Sequence, residues 1–206
     1  MYLVKTPWWL RRLYAPEMTW KIPTQEKVLY FPFDDGPHPG ITPFVLHCLK
    51  QFDAKATFFC IGKNVKLFPE VYQQILDDGH KIANHTYNHL NGWKTGDINY
   101  LKDVMLAQHT INSNLFRPPY GRIRNSQVKE LSPVFKIIMW DVLSGDFDVS
   151  VTPQKCFDNV VTNASGGSII VFHDSEKAFP RLEFALPKAL QFFSDEGYKM
   201  SVIPEV

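Results

Sequence analysis

The chain has 206 residues, 45% of them hydrophobic, which suffices for one sizeable domain with a filled core. Twenty-two Lys and Arg against 21 Asp and Glu leave a formal charge of +1, so no uniform field favours nucleic acid or an acidic membrane, and a specific site must supply the function. Cys48, Cys60 and Cys156 are odd in number, far apart and set in apolar runs, a pattern of buried free thiols rather than of a disulfide framework.

The first residues, MYLVKTPWWLRRLYAP, place two arginines after a short apolar stretch, the wrong order for a secretory signal, and no run approaches the ~20 apolar residues of a membrane span. A cytoplasmic chain is expected on that basis. Trp8 and Trp9 beside Arg11 and Arg12 allow two readings: weak contact with a membrane surface, or an N-terminal arm over 1–27 that packs its aromatics onto a domain over 28–206.

From there short β-rich runs alternate with helical patterns. Strands are expected near Val28–Phe33, Ala56–Ile61, Lys81–Asn84, Leu115–Arg117, Phe135–Trp140, Ser168–Phe172 and Lys199–Ile203. Helices are expected near Thr42–Phe52, Pro69–Asp78, Asp97–Asn112, Ser126–Leu131, Pro153–Thr162 and Leu182–Glu196. Gly79 and Gly197 sit where helices should close, and Asp97 and Thr152 sit where N-caps should open them. This βα alternation specifies an α/β fold with a parallel sheet or barrel, and the absence of a linker or longer repeat argues for one domain.

The strand ends are unusual. The first closes on Asp34 and Asp35, the third on NHTYNH, the fourth on RPPYG, the fifth on WDVLSGDF and the sixth on FHD. Ordinary connecting loops need turn residues rather than paired Asp, His and Arg, and in parallel α/β folds the carboxyl ends of the strands share one face, where ligands gather.

His85 and His89 are four apart, so a helical turn or a tight loop can converge them, and with one carboxylate they make an open site for a borderline divalent metal. The alternative is a pair of ordinary hydrogen-bonded histidines. If one of Asp34 and Asp35 binds such a metal while the other faces water held beside it, the cation offsets their repulsion; without a metal the pair is an acidic turn. His173 is either a capping histidine or a proton donor, for which a pKa near 6.5 is well placed. Two prolines follow Arg117, so the next free N–H belongs to Tyr120, a candidate oxyanion donor. Asp146 could orient either Arg117 or His173.

Taken together, FDDGP (Phe33 to Pro37), HTYNH (His85 to His89), RPPYG (Arg117 to Gly121), W-x5-DF (Trp140 to Phe147) and IIVFHD (Ile169 to Asp174) resemble, in order, the five motifs of the polysaccharide deacetylases, the NodB-homology group or carbohydrate esterase family 4. The resemblance runs from about Val28 to Ile203. It implies a distorted, incompletely closed (β/α)7 barrel, in agreement with the seven strands counted above. It further implies that Asp35, His85 and His89 hold one divalent metal, Zn²⁺ ahead of Co²⁺, Ni²⁺ or Mn²⁺. Asp34 would be the general base, with Arg117 positioning it. The Tyr120 N–H would stabilise the oxyanion, and His173 would be the general acid, tuned by Asp146. Pro119, Trp140 and Val171 would lie on the substrate side, Val171 beside the acetyl methyl and Trp140 either stacked on a sugar or filling the barrel top. The implied partner is an N-acetylated carbohydrate, cleaved to acetate and a free amino sugar.

Two positions depart from the family pattern. Pro32 stands where Thr is usual and costs a ladder hydrogen bond, which suggests that the first strand is an edge. Phe147 stands where Trp is common. The sequons at Asn84 and Asn163 read as coincidence, since Asn84 adjoins the proposed metal site. Two other functions fit the same barrel: hydrolysis of a cyclic imide or other small amide, and sugar binding without turnover. Compact loops, with length only at 92–97 and 144–150, favour an open cleft over a closed pocket.

Overall fold

The computed structural model describes residues 2–205. In chain order the elements are α1 (Trp8–Arg11), β1 (Met18–Thr19), β2 (Val28–Tyr30), β3 (Pro32–Asp34), α2 (Ile41–Gln51), β4 (Thr57–Cys60), α3 (Gly62–Leu67), α4 (Pro69–Asp77), β5 (Lys81–Asn84), α5 (Asp97–Gln108), β6 (Leu115–Phe116), α6 (Asn125–Leu131), β7 (Lys136–Ile138), β8 (Val142–Leu143), α7 (Pro153–Val161), β9 (Ile170–His173), α8 (Phe179–Asp195) and β10 (Lys199–Ser201). Eight strands form one parallel sheet in the order β1-β7-β6-β5-β4-β3-β9-β8, while β2 and β10 pair separately. This is the expected distorted, open α/β barrel, with a different tally of strands.

The difference has two sources. The run from Val28 is broken at Phe31: β2 pairs with β10, and after the break β3 pairs with β4 and β9. Two short strands, β1 and β8, carry too few residues to show a period, yet they form the two edges of the sheet. Pro32 is consequently not on an edge. It is the first residue of an interior strand, paired to Thr57 on one side, while the ladder to β9 begins only at Phe33. A strand start is a position where a missing N–H is tolerated, so the break at Phe31 accommodates the proline.

Helix faces follow the apolar period. In α8 the buried residues Leu182, Ala185, Leu186, Ala189, Leu190 and Phe193 recur at three and four, a stripe that packs on α7 and the sheet. Each leucine so buried contributes about 1.5–3 kcal/mol of hydrophobic free energy. Thr152 caps α7 by accepting from the Lys155 N–H, and Gly79 and Gly197 end their helices with φ of 74° and 76°. Asp97 is not a cap: Gly96 holds that position, and the Asp97 carboxylate instead accepts from Arg124, Ser126 and Gln127. All three cysteines are free and buried.

The N-terminal segment joins the sheet by backbone pairing. β1 lies parallel to β7, and Lys5 bridges to Val142. Lys5, Arg11 and the Ser168 hydroxyl converge on the fully buried carboxylate of Asp141. Tyr14 and Trp20 pack into the core beside Trp140, but Trp8 and Trp9 do not, at 67% and 53% exposed; Arg12 lies over the Trp8 ring. The expectation that those two tryptophans pack onto the domain is therefore corrected: a single helical turn at the surface has no facing layer to bury them.

Candidate active site

β3 delivers the paired aspartates, and the backbone separates them. Asp34 is still in the strand, whereas Asp35 has turned into the left-handed region (φ 82°), so the two carboxylates point to different partners. The Asn64 amide holds the Asp35 carbonyl at 2.7 Å. The Asp174 carboxylate accepts the Gly36 N–H at 3.0 Å and the Thr42 hydroxyl. Burial pushes the Asp174 carboxyl up to about 8.

Asp35, His85 and His89 form a three-residue cluster whose ligand atoms all lie within 4.8 Å of one another. His85 Nδ1 is 2.8 Å from the Arg117 carbonyl, so that nitrogen carries the proton and Nε2 presents its lone pair toward Asp35. Burial pushes His85 down to about 4, which keeps it neutral near pH 7, as a ligand must be. Burial alone would push the Asp35 carboxyl up, but the His89 hydrogen bond and the imidazoles of His173, His85 and His89 prevail and hold it well below the usual carboxylate range. Two neutral-capable imidazoles, one carboxylate and a locked tautomer are the donor set that a divalent cation with open positions takes, so the residues fit the metal that the sequence implies.

The loop that converges the histidines is not helical. Thr86 and His89 have φ of 64° and 57°, costly for residues other than glycine. Asp103, in the middle of α5, over-determines this shape. Its Oδ2 accepts the N–H groups of Tyr87 (3.0 Å) and Asn88 (2.9 Å), and its Oδ1 accepts the Asn88 side-chain amide (2.6 Å).

Arg117 is fully buried at the end of β6. It donates to Asp34 (2.6 Å) and to the carbonyls of Ile138 (3.1 Å) and Met139 (3.0 Å), with its guanidinium carbon 4.1 Å from the Phe59 ring centre. A buried guanidinium satisfied in this way fixes the carboxylate it holds. Three residues on, Tyr120 has φ 59° and is 61% exposed, and its N–H donates to no acceptor among the described residues. Its ring lies 4.6 Å from that of His89.

His173 ends β9. Its Nδ1 lies 2.8 Å from Asp146 Oδ1, and its N–H donates to Asp146 Oδ2 at 2.7 Å, so Asp146 orients His173 and not Arg117. Burial opposes a charge on this imidazole, but Asp146, and behind it Asp35 and Asp34, outweigh burial and hold its pKa up at about 10 rather than near 6.5. The Phe147 ring stands edge-on to His173 at 5.2 Å, with Tyr2 behind it at 4.9 Å.

The substrate-side residues are less uniform. Val171 is buried two residues before His173, and Pro119 is buried in the turn before Tyr120. Trp140 is half-buried against Trp20 and Gly121, where an added Cβ would come within 2.2 Å of its ring; its contacts are those of packing, with nothing that marks a sugar platform. Sequence reasoning missed Asn64 and Asp103, and gave Asp174 no role beyond closing the IIVFHD motif. Asp103 alone left a signal: it falls on the buried stripe of α5 with Tyr100, Val104 and Ala107, where a carboxylate needs a reason.

With this geometry, comparisons with known proteins are unambiguous at the level of family. Residues 21–133 match the polysaccharide deacetylase family. A peptidoglycan-N-acetylglucosamine deacetylase of Bacillus cereus is 33% identical over 196 residues, covering 92% of each chain. A chitooligosaccharide deacetylase of Azorhizobium caulinodans is 31% identical over 162 residues, covering 75% of this chain and 77% of its own. Among solved structures, the peptidoglycan N-acetylglucosamine deacetylase Bc1960, in complex with 4-naphthalen-1-yl-N-oxidanyl-benzamide, superimposes with a TM-score of 0.88 at 30% identity, covering 97% of this chain and 95% of its own. The chain belongs to the polysaccharide deacetylase family, whose members are generally metal-dependent. It is an N-deacetylase by class, and neither the imide nor the non-catalytic reading is favoured.

Proposed function

We propose that this chain hydrolyses the N-acetyl group of a sugar in a glucosamine-containing oligo- or polysaccharide, releasing acetate and a free amino sugar. The observation that carries the reading is the placement of two opposed dyads, Asp34 with Arg117 and His173 with Asp146, around the cluster of Asp35, His85 and His89. Zn²⁺ is the metal we propose for that cluster, on the strength of two imidazoles and one carboxylate. When bound, such a cation supplies Lewis-acid polarisation of a carbonyl and makes water more acidic.

The residues then divide the work. Asp34, fixed by Arg117, removes a proton from the attacking water. The unpartnered Tyr120 N–H donates to the oxyanion that develops on the acetamide carbonyl, a contribution whose loss typically costs on the order of 10²- to 10³-fold in rate. His173, held protonated by Asp146, gives its Nε2 proton to the departing nitrogen, so the amine leaves neutral. Val171 forms the floor below.

The test is acetate release from N-acetylglucosamine oligomers of increasing length with Zn²⁺, Co²⁺, Ni²⁺, Mn²⁺ or chelator, comparing wild type with Asp34→Asn. Metal-dependent release that Asp34→Asn abolishes supports the proposal; metal bound stoichiometrically with no acetate released from any oligomer would defeat it.

A further inference from the structure

Beside the site two loops are laced into one surface. The Gly92 N–H donates to the Arg122 carbonyl (3.0 Å), the Trp93 indole N–H to the Ile123 carbonyl (2.9 Å), and the Arg124 guanidinium to the Trp93 carbonyl (2.7 Å). Arg122 follows Tyr120 by two residues, at most about 7 Å of chain, and the Tyr120 ring rests on His89. The surface therefore adjoins the catalytic cluster.

Its composition is specific. The guanidinium carbon of Arg122 lies 4.1 Å from the centre of the Trp93 ring, yet Trp93 remains 48% exposed. Two hydrogen bonds immobilise Trp93, so this is a fixed apolar plate open to solvent beside a carbohydrate site, where the C–H face of a sugar ring can lie. The neighbouring arginines are occupied, Arg117 by Asp34 and Arg124 by Asp97. Arg122 is exposed, and its side chain makes no hydrogen bond or ion pair among the described residues. Stacking on indole orients a guanidinium without using its N–H donors, which leaves the planar fork free for a carboxylate.

We infer that Trp93 and Arg122 form a subsite for the sugar adjacent to the one that loses its acetyl group, and that this neighbour carries a carboxylate. The preferred substrate is then an acidic N-acetylated glycan rather than a neutral one. This inference rests on the deacetylase reading above.

The experiment compares two probes of equal length: a neutral N-acetylglucosamine tetramer, and a peptide-free peptidoglycan glycan whose alternate sugars bear lactyl carboxylates. Wild type, Arg122→Gln, Arg122→Lys and Trp93→Phe are assayed by kcat/KM for acetate release. Affinity of both probes is measured in parallel on the Asp34→Asn background at low and high salt. A charge-assisted hydrogen bond is worth roughly tenfold or more in affinity. Arg122→Gln should therefore lower the acidic-to-neutral ratio about tenfold, Arg122→Lys should restore part of it, and salt should weaken only the acidic probe. An unchanged ratio in Arg122→Gln overturns the subsite. If wild type releases acetate from neither probe, the deacetylase reading fails, and the affinities on the Asp34→Asn background still decide whether Arg122 reads a carboxylate.

Discussion

Asp34 and His173 stand opposite one another in register on the neighbouring parallel strands β3 and β9, and each is held by a partner the other does not share. Strands in a sheet lie about 4.8 Å apart, so a carboxylate locked to a cation and an imidazole locked to an anion stand in adjacent positions at one end of the sheet. Opposite partners suit the two groups to the opposite roles proposed for them, base and acid on one amide.

Replacing Asp34 with Asn should lower kcat by about 10²- to 10⁴-fold, the usual worth of a positioned base. Zinc affinity, measured by competition with a chromophoric chelator, should stay near the wild-type value, because Asp34 bonds to Arg117 and lies outside the cluster. A parallel collapse of zinc binding would move Asp34 into the ligand set.

The pH dependence follows from His173. Its pKa, raised to about 10, keeps the acid protonated across neutrality, so activity should fall on the alkaline side as the imidazole loses its proton. A cation at Asp35 cancels part of the field that raises it, so the alkaline limb of the metal-loaded protein should lie below 10; Asp146→Asn should move it further toward acid. The same shift affects stability. A raised histidine pKa stabilises the fold fully below the unfolded value near 6.5 and loses that contribution as pH climbs through about 10. Melting of the metal-free protein from pH 6 to 10 should show this loss, flattened in Asp146→Asn; an equal slope in both would remove Asp146 as its cause.

Asp103→Ala should weaken zinc binding by about 10- to 100-fold, the range for residues that orient metal ligands from behind. It releases the Tyr87 and Asn88 N–H groups that hold His85 and His89 in their loop. Isothermal titration on the variant decides the point. Undiminished affinity would reduce Asp103 to a packing role.

Around Asp141 the two signs should behave unequally. Lys5 and Arg11 keep some access to water, while the carboxylate has none. Converting both cations to Met strands a buried charge and should cost about 3–5 kcal/mol. Asp141→Asn leaves two cations able to turn outward and should cost clearly less. Urea denaturation of the two variants gives the comparison, and an inverted order would contradict the account.

Much of this was legible in the residues. The strand Lys81–Asn84 and the clustering of Asp34, Asp35, His85, His89, Arg117 and His173 follow from βα alternation and from what closes each strand. The break at Phe31 was not, because an unbroken apolar run carries no mark of a change of partner strand. Nor was the backbone of the site: Asp35, Thr86, His89 and Tyr120 all take left-handed φ without a glycine to announce it, held there by contacts distant in sequence. The pKa of His173, expected near 6.5, is raised for a related reason: Asp146, and behind it Asp35 and Asp34, come to face the imidazole only in the fold.

Tyr2 backs Phe147, and Phe147 stands edge-on to the His173 imidazole. The outer wall of the proposed proton donor is thus assembled from residues 145 positions apart. Tyr2 is therefore a handle on that imidazole. Tyr2→Ala would wet the imidazole and show first in its NMR titration, while binding of an added divalent cation by Asp35, His85 and His89 should be little changed.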